Sequence, residues 1–167
     1  MTTPRTPKDL TPADHAFLRR CVELATEALD DGDEPFGSVL VDASGTVRFE
    51  DRNRISGGDA TRHPEFEIAR WAATNLTPEE RRTAVVYTSG EHCPMCSAAH
   101  AWVGLGRIVY ASSSAQLRAW LSGWGIPPGP VAALSINAIA PGIEAIGPVD
   151  EFVDEIRALH ARQRGRT

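Results

Sequence analysis

Lysine is almost missing from this chain: Lys8 stands alone against sixteen arginines, and the acidic residues outnumber both, leaving a formal net charge of -5. That shortage of positive charge argues against a broad phosphate-gripping face, because nucleic-acid affinity rests on clustered cations. Nucleic acid is therefore not an expected partner. Arginines gather only at the C-terminal end, as Arg162, Arg164 and Arg166, and read there as a solvated tail. Cysteine is scarce as well, with three in 167 residues. Any disulfide would leave one thiol over, so a disulfide framework is excluded. No run approaches the ~18 apolar residues of a membrane span. The segment MTTPRTPKDLTPADHAF has neither the apolar stretch of a secretory signal nor an Arg-rich amphipathic pattern. The expectation is a cytoplasmic protein.

What is present is an ordinary globular composition, 42% hydrophobic and 23% charged, with no repeat, low-complexity tract or linker. One domain over residues 1–167 is expected. Thr11-Pro12-Ala13-Asp14 is an N-cap, a proline at the first helical position and an acid in the first turn, opening a helix that ends near Asp30. Phe17, Cys21, Leu24 and Ala28 share one of its faces, which makes Cys21 a core residue. Residues 36–41 (FGSVLV) and 46–50 (TVRFE) form a hairpin around Asp42-Ala43-Ser44-Gly45. A helix follows from His63-Pro64-Glu65, then a strand over 84–88, a helix from Pro94 to about Gly104, and a strand over 107–111. This α-β-β-α-β-α-β succession predicts a three-layer α/β/α sandwich with a central mixed sheet of about five strands. Beyond it, GWGIPPGP at 123–130 is an irregular loop, residues 143–146 a last strand, and Pro148 the opening of a final helix lined by Val149, Phe152, Val153, Ile156 and Leu159.

Two of the three thiols stand in GEHCPMCS, residues 90–97. By itself Cys93-x-x-Cys96 is a redox couple, half a zinc knuckle or two ligands of a catalytic metal. Pro94 fits a first helical position, placing Cys93 at an N-cap and Cys96 in the first turn, where the helix dipole favours thiolates. Pro64 repeats the arrangement behind His63. One nitrogen and two sulfurs leave a fourth tetrahedral position open, as in catalytic zinc sites, and Glu65 can lean over that position as a proton acceptor without being a ligand. His15 and His160 read as surface or satisfied core histidines, His100 as a remote candidate on the Cys96 face, and Glu67 as a solvated neighbour.

His63-x-Glu65 followed by Cys93-x-x-Cys96 resembles the signature of the zinc-dependent cytidine deaminase-like superfamily. PFGSVLVD, Asn53, DATRHPE, YTSGEHCPMC and GRIVYAS look like its guanine deaminase and tRNA adenosine deaminase branch. The resemblance covers residues 34–111 and fades over 112–167. It implies Zn2+ held by His63, Cys93 and Cys96, with Glu65 as proton shuttle and Asn53 bonding the substrate ring. Two positions depart from the pattern. Pro64 replaces a residue whose backbone amide, by the resemblance, holds the base, and His92 stands where the signature has proline and is expected at the pocket edge. Trp124, beside the Gly/Pro loop, is expected to stack on a flat ring as part of a lid. The resulting expectation is a homodimeric hydrolytic deaminase of a small amino-substituted heterocycle: a free base such as guanine or cytosine, a nucleoside, or a modified or triazine-like analogue. The alternatives are adenosine deamination in tRNA, a non-catalytic zinc-binding module and a thiol redox protein.

Overall fold

The computed structural model describes residues 5–166. Helix α1 (Pro12–Asp30) starts where Thr11 turns extended; its side chain accepts the Asp14 amide, and the Asp14 carboxylate returns to the Thr11 amide at 2.8 Å. This reciprocal capping satisfies donors that a helix end otherwise leaves open. Leu18, Cys21, Ala25 and Ala28 form the buried face of α1. It lies on strand β1 (Gly37–Val41), and Gly37 permits the approach, since a Cβ there would sit 2.4 Å from the Leu24 Cβ.

Strand β2 (Val47–Arg52) folds back antiparallel on β1. The hairpin is fixed by Asp42, whose Oδ1 accepts from the amides of Ser44 at 2.9 Å and Thr46 at 3.0 Å. Strand β3 (Val85–Gly90) pairs antiparallel with the other edge of β1, β4 (Ile108–Ser112) runs parallel to β3, and β5 (Ala145–Ile146) parallel to β4. The sheet order is β2-β1-β3-β4-β5. Side chains alternate across it, as the pleat requires. Val39, Val41, Tyr87 and Val109 meet α1 and the last helix, α7 (Asp150–Gln163), while Leu40 and Val86 meet Ile68, Ala69 and Ala72 of α2 (Pro64–Asn75) on the opposite face. Helix α4 (Pro94–Val103) packs beside α2 and supplies the β3–β4 crossover. The three layers expected from the element pattern are therefore present, with five strands between them.

Three further helices interrupt the stretches that the pattern leaves unassigned: α3 (Pro78–Thr83), α5 (Ser114–Gly123) and α6 (Ile136–Ile139). The final helix begins at Asp150 and not at Pro148. Val149 is still extended and donates its amide to Ala111 O at 3.1 Å, prolonging the sheet before the helix can start. Among the described residues no helix is long and apolar enough to cross a membrane.

Two buried histidines carry a pH signature away from the cysteines. His160, on α7, packs edge-on against Phe36 with ring centroids 5.1 Å apart, and His100, on α4, bonds Gly106 O through Nε2 at 2.7 Å. Burial draws each down to a pKa of about 4. Between about 6.5 and about 4 the unfolded chain then binds protons that the folded chain refuses, so stability is intact above that window and lost as pH falls through it. The expected slope is about 1.4 kcal/mol per pH unit for each histidine. Urea unfolding of the parent and of His160→Phe between pH 7.5 and 4.5 checks this: the variant should show the shallower acid loss, and contributions common to both proteins cancel.

Candidate metal centre

The two proline-led helices α2 and α4 bring their N-termini to one place. His63 is the N-cap of α2 (φ -88°, ψ 139°) and Cys93 the N-cap of α4 (φ -66°, ψ 167°), each followed by a proline. Neither side chain caps its own helix, so both are free to point across the gap. Cys93 Sγ lies 3.6 Å from His63 Nδ1 and 3.5 Å from Cys96 Sγ, and Cys96 Sγ lies 3.6 Å from the same His63 Nδ1. The triangle is almost equilateral. Nitrogen and sulfur ligands bonded to zinc at about 2.0–2.3 Å in a tetrahedron stand roughly 3.4–3.8 Å apart, so the donor set and its spacing both fit that ion. Among the described residues this is the one cluster of His, Cys, Asp or Glu side chains spaced to hold a metal.

The charges at the site are mutually adjusted. Contact with Cys96, and then with His63, draws the Cys93 thiol down to about 4. The same contact, with burial added, pushes Cys96 up, while His63 is raised chiefly by its bond with Cys93. A metal that takes both sulfurs as thiolates displaces the proton the pair retains.

Glu65 sits one residue into α2 past Pro64, is 5% exposed, and has Oε2 3.9 Å from Cys96 Sγ. Desolvation pushes its carboxyl up. Its Oε1 accepts from Thr88 Oγ1 at 2.8 Å, and that hydroxyl also lies 2.9 Å from Gly90 O and receives Ser38 Oγ at 2.9 Å. Thr88 has one hydrogen and two acceptors for it. When Glu65 is ionised the hydrogen points to Glu65; when Glu65 is protonated it can turn to Gly90 O while Thr88 accepts the acid's proton. Both protonation states of Glu65 are thereby satisfied in place. Neither Thr88 nor Ser38 is marked as functional by sequence pattern, because each is an ordinary inward-facing strand residue.

His63, Glu65, Cys93 and Pro94 open onto a cavity of about 510 Å³. Phe36 and Gly90 form one part of its wall, and a Cβ at Gly90 would lie 2.8 Å from the Phe36 ring. The remainder comes from the C-terminal third: one face of α5 and residues 126–134. Glu91 fastens that wall to the cysteine turn, accepting the Ser114 amide through Oε2 at 2.8 Å and the Ile136 amide through Oε1 at 2.9 Å.

Four residues expected at the substrate do not line this cavity. His92 is fully buried, turned under α4 against the His100 ring with centroids 5.3 Å apart, because the turn that aims Cys93 at the metal site sends its neighbour inward. Trp124 ends α5 outside the cavity, and Leu121, Ile126 and Pro127 form the apolar wall instead. Pro64 is buried in the first turn of α2. Asn53 is also buried; its Oδ1 accepts from the Ile55 amide at 3.2 Å, and its Nδ2 has no partner among the described residues. The blander readings hold for Cys21, fully buried in the core, for Glu67, paired with Arg62 at 3.3 Å, and for His100.

Comparison with known proteins places this geometry. The chain is 35% identical to a probable cytosine deaminase of Schizosaccharomyces pombe over 112 residues, which are 65% of this chain and 66% of that protein. It is 34% identical to a guanine deaminase of Bacillus subtilis over 97 residues, 58% of this chain and 62% of that one. The matched stretches thus span under two thirds of either relative's own length. The fold is shared with the guanine deaminase of Nitrosomonas europaea at a TM-score of 0.68 and 22% identity, covering 98% of this chain and 89% of that one. The model of the cytidine and deoxycytidylate deaminase zinc-binding region matches residues 11–112. That stretch is more than half of the chain and carries the His63, Glu65, Cys93 and Cys96 arrangement, so the chain belongs to this zinc-binding deaminase family.

Proposed function

We propose that the chain is a zinc-dependent hydrolytic deaminase that replaces the amino group of a small heterocycle by oxygen and releases ammonia. The observation that carries this reading is the buried Glu65 carboxyl poised 3.9 Å from a metal-ligand sulfur at the floor of one cavity. His63 Nδ1, Cys93 Sγ and Cys96 Sγ would hold the zinc. Zinc supplies Lewis acidity, which lets water lose a proton near neutral pH. Glu65 is placed to take one proton from water and pass it to a ring nitrogen, and then to take the proton of the added hydroxyl and deliver it to the departing amine, with Thr88 reorienting its hydroxyl at each change of state. A carboxyl raised by desolvation suits both halves of this task.

Charge supports a small substrate. The tail arginines are engaged within the chain, Arg162 with Asp30, Arg164 with Glu34 and Arg166 with Trp124 O, so they offer no free basic strip to a nucleic-acid backbone. A free base, nucleoside or related small heterocycle is favoured over tRNA. We take the protein to be a cytoplasmic homodimer; Trp102, 89% exposed on α4, is the side chain that a second copy would cover.

Three measurements test this reading. Glu65→Gln should keep about one zinc per chain and lose roughly 10²–10⁴ in turnover; an active variant overturns the assignment. Cys96→Ser should lose the metal and, with it, stability, read as zinc content and melting temperature together; metal-free parent protein with a reversible Cys93–Cys96 disulfide would instead favour thiol redox chemistry. Light scattering at micromolar concentration should give a dimer mass.

A further inference from the structure

Helix α5 turns one face to the cavity, and that face is divided. Ser114, Arg118 and Ser122 recur at helical spacing as a polar strip, and Leu117 and Leu121 lie beside them as an apolar one. No residue of α5 is fully buried, so this helix serves the cavity more than the core. Most arginines of the chain hold a carboxylate within 4.0 Å, as Arg20 holds Glu50 and Arg107 holds Asp14. Arg118 holds none among the described residues.

The acids that border the cavity are already committed. Both oxygens of Glu91 accept helix amides, and Glu65 is buried against Thr88. The N-terminus of α5 is likewise engaged, its Ser114 amide by Glu91 and its Gln116 amide by the Ser113 side chain. Arg118 is therefore a solvent-exposed cation at the cavity wall with no carboxylate partner among the described residues. The cavity, about 510 Å³, falls in the range of about 300–1,000 Å³ that holds drug-sized ligands and leaves room beyond a bare base.

We propose that the substrate carries an oxyanion, a carboxylate or a phosphate, in addition to its amino-bearing ring, and that Arg118 receives that group while Leu117 and Leu121 face the apolar remainder. A guanidinium fork matches either oxyanion in two parallel hydrogen bonds, and the flanking serine hydroxyls can donate to further oxygens. The proposal deepens the deaminase reading and rests on it for the ring.

The test uses the zinc-loaded protein, its Arg118→Ala and Arg118→Lys variants, and Arg157→Ala on the exposed side of α7 as a control. Matched neutral and anionic probes are cytidine with cytidine 5′-monophosphate, guanosine with guanosine 5′-monophosphate, and cytosine with 5-carboxycytosine. Binding is read by calorimetry and turnover by ammonia release. The expected result is an anionic member favoured by about tenfold or more in Kd, with the preference lost in Arg118→Ala, partly kept in Arg118→Lys and intact in the control. Preference confined to the monophosphates assigns a phosphate; preference confined to 5-carboxycytosine assigns a carboxylate. Equal Kd ratios for the parent and Arg118→Ala across all pairs overturn the proposal, whatever the turnover. Arg118-dependent binding without ammonia from any probe would instead leave the anion site standing and count against the deaminase reading.

Discussion

The meeting of two helix N-termini is the constraint on which the rest of this structure depends. Two histidine- or cysteine-proline steps end extended segments and begin α2 and α4, and the proline at each first helical position fixes the φ with which the helix starts. The preceding residue is held extended, so His63 and Cys93 project ahead of their helices. With α2 and α4 side by side on one face of the sheet, donors thirty residues apart in sequence come within 3.6 Å. Packing of Ile68, Ala69 and Ala72 against Leu40 and Val86 is thus part of the site's construction. Loosening that layer would separate His63 from the cysteines before it touched any ligand chemically.

The same arrangement stores charge that only a cation relieves. Two sulfurs and a ring nitrogen in one small triangle cannot all be deprotonated without a positive partner, and their contact lowers Cys93 while it raises Cys96. Glu65 adds a carboxyl to this group under desolvation. Its tolerance of both protonation states comes from Thr88 and Ser38 on the strands behind it, so the hydroxyl ladder Ser38–Thr88 keeps the carboxyl satisfied in place. The sheet supplies the proton's second partner, and the helices supply the metal's donors.

Sequence made the ligand set legible because metal chemistry is discrete: few side chains bind zinc, and a proline after His63 and after Cys93 announces where those side chains must point. Hydrophobic alternation made the sheet legible for the same kind of reason, since Val39, Val41 and Leu40 can bury themselves on opposite faces only as a strand. The cavity wall was harder. Helix α5 buries no residue fully, so it has weak periodicity, although Ser113 and Gln116 form a capping box that marks its start. His92 and Trp124 stand beside the motif and the Gly/Pro loop in sequence, yet neither lines the cavity. Adjacent residues on an extended turn point to opposite sides, so His92 faces inward because Cys93 faces the metal. Glu91 could not be singled out, for its role lies in two amides, at Ser114 and Ile136, that are distant in sequence.

Pro64 gives this division a consequence. Lacking an N–H, and buried in the first turn of α2, it withdraws one backbone donor from the helix end that faces the cavity. Ring recognition under the deaminase reading must then come from other groups on the cavity wall, where α5 places Ser114, Leu117, Arg118, Leu121 and Ser122. The α5 wall lies beyond residue 112, outside the stretch that the family match covers. The half of the site that carries the metal donors is therefore built from the matched stretch, whereas much of the cavity wall opposite is built from residues beyond it. Glu91, rooted at the end of β3 and holding α5 and α6 by their amides, is the side chain that keeps the two halves in register.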